Sequence, residues 1–149
     1  NIPVKSDKET MINEEIEIGG KKYNATCVSI GNPHCVVFVD NVDGLNIDEI
    51  GPEFETDPMF PERVNAEFVK VLNDHTIKMR VWERGTGETL ACGTGACAVA
   101  IAACENGLCK KGDDITVKLK GGDLAVTYND DGIYLTGNAV LVFEGEAEY

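Results

Sequence analysis

Apolar and polar residues alternate along much of the chain, a pattern typical of strands that bury one face. The alternation is clear over residues 14–18 and 22–30, on both sides of two consecutive glycines. A Gly-Gly pair between two such runs indicates a β-hairpin. The same pattern recurs over residues 66–72 and 76–82, on both sides of an Asn-Asp pair. The sequence therefore predicts a second hairpin there.

Shorter apolar runs predict further strands. They are separated by Gly, Asp or Asn, which commonly form turns. These runs cover residues 35–39, 115–120, 124–128, 133–136 and 140–143. The last run precedes an acidic C-terminal segment, and we expect it to be the final strand.

Residues 92–105 differ from the rest because they are rich in alanine and almost uniformly apolar. Asn106-Gly107 follows, a common signal for the end of a helix. An apolar segment of this kind predicts a helix that is buried on all sides. Residues 47–52 predict one further helical turn, and the proline-containing residues 54–62 predict a loop.

One apolar helix among many strands predicts the fold class. We expect an α+β domain in which a curved, mixed or antiparallel β-sheet wraps around one central apolar helix. The length of 149 residues suits a single domain with a substantial core. Residues 1–149 are therefore interpreted as one domain.

Composition excludes several kinds of partner. The net charge of −13 argues against binding to nucleic acid or to an anionic membrane surface. No apolar run has the length that crosses a bilayer. The six cysteines lack C-x2-C pairs, and the two histidines lie far apart in the sequence. This spacing predicts no metal site and favours reduced thiols in the cytoplasm over a disulfide scaffold.

The most informative segment, residues 83–98, reads ERGTGETLACGTGACA. It places Cys92 at the start of the predicted helix, where unpaired N–H groups and the helix dipole favour an anion. A thiol in this position is expected to have a lowered pKa. Gly93 and Gly95 would let an anionic substrate approach the backbone closely. The alternative is a glycine-rich turn with Cys92 as a small packing residue.

Three shorter features each have two interpretations. Glu83-Arg84 is either a surface ion pair or a pair in which arginine grips a carboxylate and glutamate holds an ammonium group. Asn32-Pro33-His34 is either a turn or a source of an amide for substrate and an imidazole that tunes a thiol. Asn65, at the start of a strand, is either a turn residue or a further polar contact.

Four blocks of the sequence together resemble the C-terminal half of diaminopimelate epimerase. They occur in the order found in that family, and they read GNPHCVVFVD, PERVNAEFV, MRVWERGTGETLACGTGACA and LTGNAVLVFEG. The resemblance implies a half-domain with a sheet wound around a central helix. It also implies a cofactor-independent isomerase that interconverts L,L- and meso-diaminopimelate for lysine and peptidoglycan synthesis.

The resemblance implies a role for each matching residue. Cys92 would be one of two catalytic cysteines, and the amides of Gly93 and Thr94 would bind the carboxylate at the reacting centre. Glu83 would meet the substrate amine, and together with His34 it would adjust the pKa of the thiol. The distal amino-acid end of the substrate would be read by Asn32, Asn65 and Arg84.

The family's second cysteine lies in an N-terminal domain with a GNG-x-R-C type of motif, which this sequence lacks. Inversion at a carbon needs a base on one face and an acid on the other. The chain is therefore interpreted as the C-terminal catalytic half of a two-domain epimerase, inactive alone, whose partner is the missing N-terminal half. The resemblance leaves a homodimer open.

Two alternative functions remain at this point. A proline racemase-like isomerase domain shares the two-cysteine logic, but its substrate has only one amino-acid end. A non-catalytic interaction domain that retains the motif is the other alternative, and an inert Cys92 thiol would favour it.

Overall fold

The computed structural model describes residues 3–148, and the strands among them form a single sheet. Within this part of the chain the strands are β1 (Glu14–Ile18), β2 (Lys21–Ser29), β3 (Pro33–Phe38), β4 (Asn65–Asn73), β5 (Thr76–Glu83), β6 (Gly87–Glu88), β7 (Asp114–Leu119), β8 (Gly122–Asn129) and β9 (Gly132–Thr136). The helices there are α1 (Ile47–Thr56) and α2 (Gly93–Glu105). The strands lie in the order β1-β2-β3-β4-β5-β7-β8-β9, and β6 pairs with β5.

The sheet is mixed, and its helices lie in the two crossover connections. β3 pairs with β4 in parallel, as β5 does with β7, while the other pairs are antiparallel. α1 lies in the first connection and α2 in the second. Parallel neighbours require such crossovers because the end of the first strand and the start of the second lie at opposite ends of the strands.

Alternate side chains of the central strands enter two separate cores. Val36 and Val69 pack in the core that contains α2. Val37 and Phe68, their neighbours in sequence, pack in the core that contains α1. The period of two in a strand therefore places one helix on each face of the sheet.

Strands from both halves of the sheet contact α2, namely β2, β3, β4, β7, β8 and β9. The sheet must curve around the helix to reach it from both sides. Alanine makes the close packing feasible, and Ala96, Ala100 and Ala103 are fully buried. The predicted α+β fold with a curved mixed sheet around an apolar helix is confirmed, as are both hairpins.

The prediction for residues 47–62 is wrong in part. The helical turn expected over residues 47–52 is the longer helix α1, which continues through Pro52 to Thr56 into the expected loop. Phe54 is fully buried, and its ring contacts that of Phe68 edge to face at 5.3 Å. Burial of this ring offsets the backbone hydrogen bond that proline cannot donate.

The strand predicted over residues 140–143 is also wrong. These residues have no regular secondary structure, and their side chains are 74–87% exposed. Their composition suits a strand, but no strand of the described residues pairs with them. The short strand β6 was not predicted. No helix among residues 3–148 combines the length and apolarity needed to cross a membrane.

Candidate active site

The residues selected from the sequence meet at one end of the central strands. His34 in β3 lies opposite Asn65 in β4, and Ala66 lies opposite Trp82 in β5. This register brings the start of β4 next to the end of β5, where Glu83 and Arg84 follow. The connection from β5 then leads through β6 to Cys92 and α2.

Cys92 is the N-cap of α2, one position before its first helical residue. Its sulfur accepts a hydrogen bond from the Gly95 amide at 3.3 Å, as a serine or aspartate oxygen does in the usual N-cap. The Thr94 hydroxyl lies 3.7 Å from the sulfur. The predicted position of the thiol at the start of a buried helix is therefore confirmed.

The expected lowering of the Cys92 pKa is wrong for this chain. Burial raises the pKa of the thiol above its ordinary value, and the hydrogen bonds from Gly95 and Thr94 oppose this effect without cancelling it. The negative charges of Glu83 and Glu67 raise the pKa further. Desolvation and nearby carboxylates both disfavour a thiolate.

Unpaired backbone donors lie next to the sulfur. The N–H groups of Gly93 and Thr94 have no acceptor among the described residues. The first N–H groups of a helix have no partner within the helix and carry its positive end. This end of α2 therefore presents two donors to an anion beside the Cys92 sulfur.

Asn32 and His34 belong to the same hydrogen-bonded group as the helix terminus. The Asn32 amide nitrogen donates to the Thr94 hydroxyl oxygen at 3.3 Å. Its carbonyl oxygen lies 3.0 Å from Nε2 of His34. His34 is fully buried, so its imidazole is a fixed part of the site.

Asn65 connects two segments of the site. Its amide nitrogen donates to the Pro33 carbonyl at 2.9 Å, and its side-chain oxygen accepts from the Arg84 backbone N–H at 2.9 Å. The residue is 5% exposed. It therefore holds the first residue of β3 next to the segment that follows β5.

Glu83 and Arg84 do not form an ion pair with each other within the described residues. Glu83 accepts a hydrogen bond from the Thr89 hydroxyl. The exposed Arg84 donates to the Glu62 carbonyl at 2.8 Å. Within the part of the chain that the structure describes, its other guanidinium donors have no acceptor and can bind a ligand.

Glu67 is a site residue that the sequence analysis missed. It is fully buried on β4, and its Oε1 lies 2.6 Å from Nδ1 of His34. Burial raises the pKa of this carboxyl to about 7, although the hydrogen bond with His34 lowers it. The available signal was the strand period, because Glu67 and Val69 lie on the same face of an apolar strand.

Glu55, on α1, was also missed, and it anchors the segment that carries Glu83 and Arg84. One of its oxygens accepts from the Gly85 N–H at 2.9 Å, and the other accepts from the Trp82 indole at 2.8 Å. Burial raises the Glu55 pKa, but hydrogen bonds from Trp82, Gly85 and Arg63 outweigh it, and the net shift is downward.

A cavity of about 530 Å³ lies elsewhere, among residues that include Met11, Thr26, Cys27 and Ile101. None of its lining residues belongs to the site around Cys92. The described residues contain no cluster of three or more His, Cys, Asp or Glu side chains that could hold a metal ion.

Comparison with known proteins identifies a family. The model of the family described as diaminopimelate epimerase matches residues 26–142. A diaminopimelate epimerase of Acetivibrio thermocellus is 56% identical over 99% of this chain and 53% of its own length. One of Methanococcus maripaludis strain C6 is 53% identical over the same shares. The chain thus spans about half the length of the curated relatives it matches.

Solved structures share the fold at low identity. A phenazine biosynthesis protein of the PhzF family from Enterococcus faecalis has a TM-score of 0.56 and 17% identity, covering 76% of this chain and 42% of that one. A PhzF-family protein from Bacillus anthracis has a TM-score of 0.52 and 24% identity, covering 82% and 40%. At these identities the similarity concerns the fold alone.

Proposed function

Since the chain belongs to the diaminopimelate epimerase family, we propose that it is the C-terminal, Cys92-bearing half of an enzyme that interconverts L,L- and meso-diaminopimelate. One observation carries this proposal. The Cys92 sulfur lies at the N-terminus of a buried helix, beside unpaired N–H groups that suit a carboxylate. The free cysteines of the chain and the biosynthetic family favour the cytoplasm as its location.

The reaction exchanges one proton for another at the substrate α-carbon. A thiolate at Cys92 takes the α-proton, so that the C–H bond breaks and an S–H bond forms. A thiol on the opposite face gives a proton to the carbon and becomes a thiolate. We assign this second thiol to the half of the family's length that the present sequence does not span. In the reverse direction the two sulfurs exchange roles.

The start of α2 stabilises the charge that develops during this exchange. The amides of Gly93 and Thr94 bind the carboxylate of the reacting centre, which takes up negative charge as the α-proton leaves. The positive end of the helix dipole acts on the same group. Donors fixed before the reaction lower the barrier because they need no reorganisation.

Substrate binding also lowers the cost of forming the thiolate. In the free chain, Glu83 is one of the carboxylates that raise the Cys92 pKa. The substrate α-ammonium group beside Glu83 compensates this charge. His34 also adjusts the pKa of the Cys92 thiol, through its hydrogen bonds with Asn32 and Glu67.

The distal amino-acid end of diaminopimelate is assigned to Asn32, Asn65 and Arg84. Arg84 has free donors for a two-pronged contact with a carboxylate. Asn65 holds the Arg84 backbone in place. This set favours diaminopimelate over proline, because proline has no second amino-acid end. The name of the matching relatives supports the same choice.

The experiment is Cys92→Ser in the full-length protein. The matched control is Cys104→Ser, near the C-terminal end of the same helix. We expect the Cys92 change to lower kcat at least about 10²-fold, because serine is a far poorer acid and base at neutral pH. The control should retain activity. Epimerisation is measured by separation of the stereoisomers and by uptake of deuterium at the α-carbon.

Activity of the Cys92→Ser protein within a few-fold of the unmodified enzyme would contradict the catalytic role. Turnover of proline in preference to diaminopimelate in a competition assay would move the assignment to the racemase alternative. A stable full-length protein that turns over neither substrate would favour the non-catalytic alternative.

A further inference from the structure

Glu67 and His34 form a buried ionisable pair. Both side chains have no exposed surface, and Oε1 lies 2.6 Å from Nδ1. The second oxygen of Glu67 is buried and has no hydrogen-bond partner among residues 3–148. Burial of a carboxyl group with one unpartnered oxygen costs free energy of folding.

The pair is the end of a continuous hydrogen-bond chain that reaches the Cys92 sulfur. The distances between successive partners are 2.6, 3.0, 3.3 and 3.7 Å. We refer to it as the hydrogen-bond chain, and its members are Glu67, His34, Asn32, Thr94 and Cys92.

The contacts give this chain a direction. The Asn32 oxygen faces Nε2 of His34, so Nε2 carries a hydrogen. The Asn32 amide nitrogen donates to the Thr94 oxygen. The hydroxyl hydrogen of Thr94 is then free to donate to the sulfur, which favours the thiolate.

One proton must lie between His34 and Glu67 for this direction to hold. A bare Nδ1 and a carboxylate oxygen would repel each other at 2.6 Å. Since Nε2 already carries a hydrogen, the proton between Nδ1 and Oε1 is an additional one. The pair is therefore either imidazolium with carboxylate or imidazole with carboxylic acid.

Glu67 also lies close to the sulfur in space. A Cβ built on Gly95 would stand 3.0 Å from Oε1 of Glu67 and 3.2 Å from the Cys92 sulfur. Glycine at position 95 therefore leaves room for the Glu67 carboxyl and the Cys92 sulfur, whereas any other residue would place its Cβ against both groups. The other titratable groups near the carboxyl are His34 and Cys35 on β3 and Glu83 on β5.

We propose that Glu67 is a positioning residue, and that the proton it shares with His34 fixes the direction of the hydrogen-bond chain. In this direction the Thr94 hydroxyl donates to the Cys92 sulfur. The inference rests on the proposed function only for its catalytic consequence, because the direction of the chain and the state of the thiol can be measured without turnover.

Loss of the proton shared by Glu67 and His34 reverses the direction of the hydrogen-bond chain. Nδ1 must then keep its hydrogen to donate to the carboxylate, so Nε2 becomes an acceptor and the Asn32 amide turns its nitrogen toward it. The Thr94 hydroxyl then donates to the Asn32 oxygen instead of the sulfur. The Glu67 pKa of about 7 places this reversal near neutral pH.

The first test is NMR of the unmodified chain with ¹⁵N-labelled histidine. The chain has two histidines, and a His75→Gln variant assigns their resonances. At a pH below the Glu67 pKa of about 7, we expect the hydrogen to be found on Nε2 of His34, and at a pH above it on Nδ1 alone. An unprotonated Nε2 at the lower pH would mean that the hydrogen-bond chain has the opposite direction, and the proposal would be overturned.

The second test is Glu67→Gln, with alkylation of each cysteine followed by mass spectrometry across a pH series. A glutamine at this position can donate to Nδ1 but carries no charge beside the sulfur. We expect the alkylation midpoint of Cys92 to move to lower pH by about half a unit or more. Cys104, at the far end of α2, is the internal reference and should not move.

The matched control is Glu88→Gln, at a largely buried glutamate whose partners are Arg80 and Lys120. It should leave the Cys92 midpoint unchanged. A folded Glu67→Gln protein with the midpoint of the unmodified chain would show a packing role only and overturn the proposal. If that variant does not fold, the NMR result on the unmodified chain decides.

Discussion

At the scale of single residues, opposing effects act on the Cys92 thiol. Burial and the carboxylates of Glu67 and Glu83 raise its pKa, while donors from Thr94 and Gly95 lower it. The net shift is upward, so the helix terminus alone does not decide the Cys92 pKa.

The buried Glu67 also predicts how stability depends on pH. Its folded-state pKa of about 7 exceeds the ordinary value of 4.5, so the folded chain binds a proton that the unfolded chain has released. The contribution of Glu67 to the free energy of unfolding should therefore fall as pH rises from about 5 to about 7, by up to about 1 kcal/mol per pH unit relative to Glu67→Gln. Urea unfolding of the chain and of Glu67→Gln across this range measures the effect.

The Glu67→Gln chain should lack this component, so the stability difference between the two proteins should change with pH. Glu55→Gln is the control, since the Glu55 pKa is lowered and its contribution is lost only at more acidic pH. A difference between the chain and Glu67→Gln that is constant across the range would contradict the raised pKa.

At the scale of elements, α1 holds part of the site although it contributes no proposed catalytic group. Glu55 on this helix binds both Trp82 and the Gly85 backbone. Gly51, one turn earlier, lets the helix lie against the Trp82 ring, since a Cβ there would stand 2.3 Å from a ring atom. The helix therefore fixes the end of β5 that carries Glu83 and Arg84.

Gly51→Ala should destabilise the protein for this reason. Alanine is a better helix former than glycine by about 1 kcal/mol, but the indole must move to admit the methyl group. We expect a net loss of about 1–3 kcal/mol, measured by urea unfolding. Glu53→Ala, at an exposed position of the same helix, should change stability by less, and a Gly51→Ala protein as stable as the unmodified chain would contradict this packing.

At the scale of the whole molecule, the fold gathers the candidate site residues in one place. A single sheet with a helix on each face brings the site residues to one end of the central strands. Val140, Leu141, Val142 and Phe143 are largely exposed, so they form an apolar segment on the surface. The chain spans about half of its relatives' length.

We expect the 149-residue chain alone to show no measurable epimerisation of diaminopimelate, because the opposite face of the α-carbon has no acid or base. Incubation with each stereoisomer in D₂O, followed by chiral separation, measures conversion and α-deuterium together. The full-length protein is the positive control. Formation of the other stereoisomer by the isolated chain would refute the half-enzyme assignment.

Much of this organisation could be predicted from local sequence patterns. Alternation and paired turn residues located both hairpins, and the alanine-rich run located α2. The length of α1 was missed because Pro52 suggests an end to the helix. The spacing of Ile47, Ile50 and Phe54 matches one helical face, but only the contact between Phe54 and Phe68 shows that it is buried.

The sequence by itself determined the family, the alternation that builds the sheet and the position of Cys92 at a helix start, because these depend on residues close together in the chain. The tertiary structure decided which charges surround the sulfur. Glu67 and Cys92 are 25 positions apart in the sequence, and they become neighbours only when the sheet packs against α2. The pKa of a buried group depends on desolvation and on nearby charges, and both are properties of the folded chain.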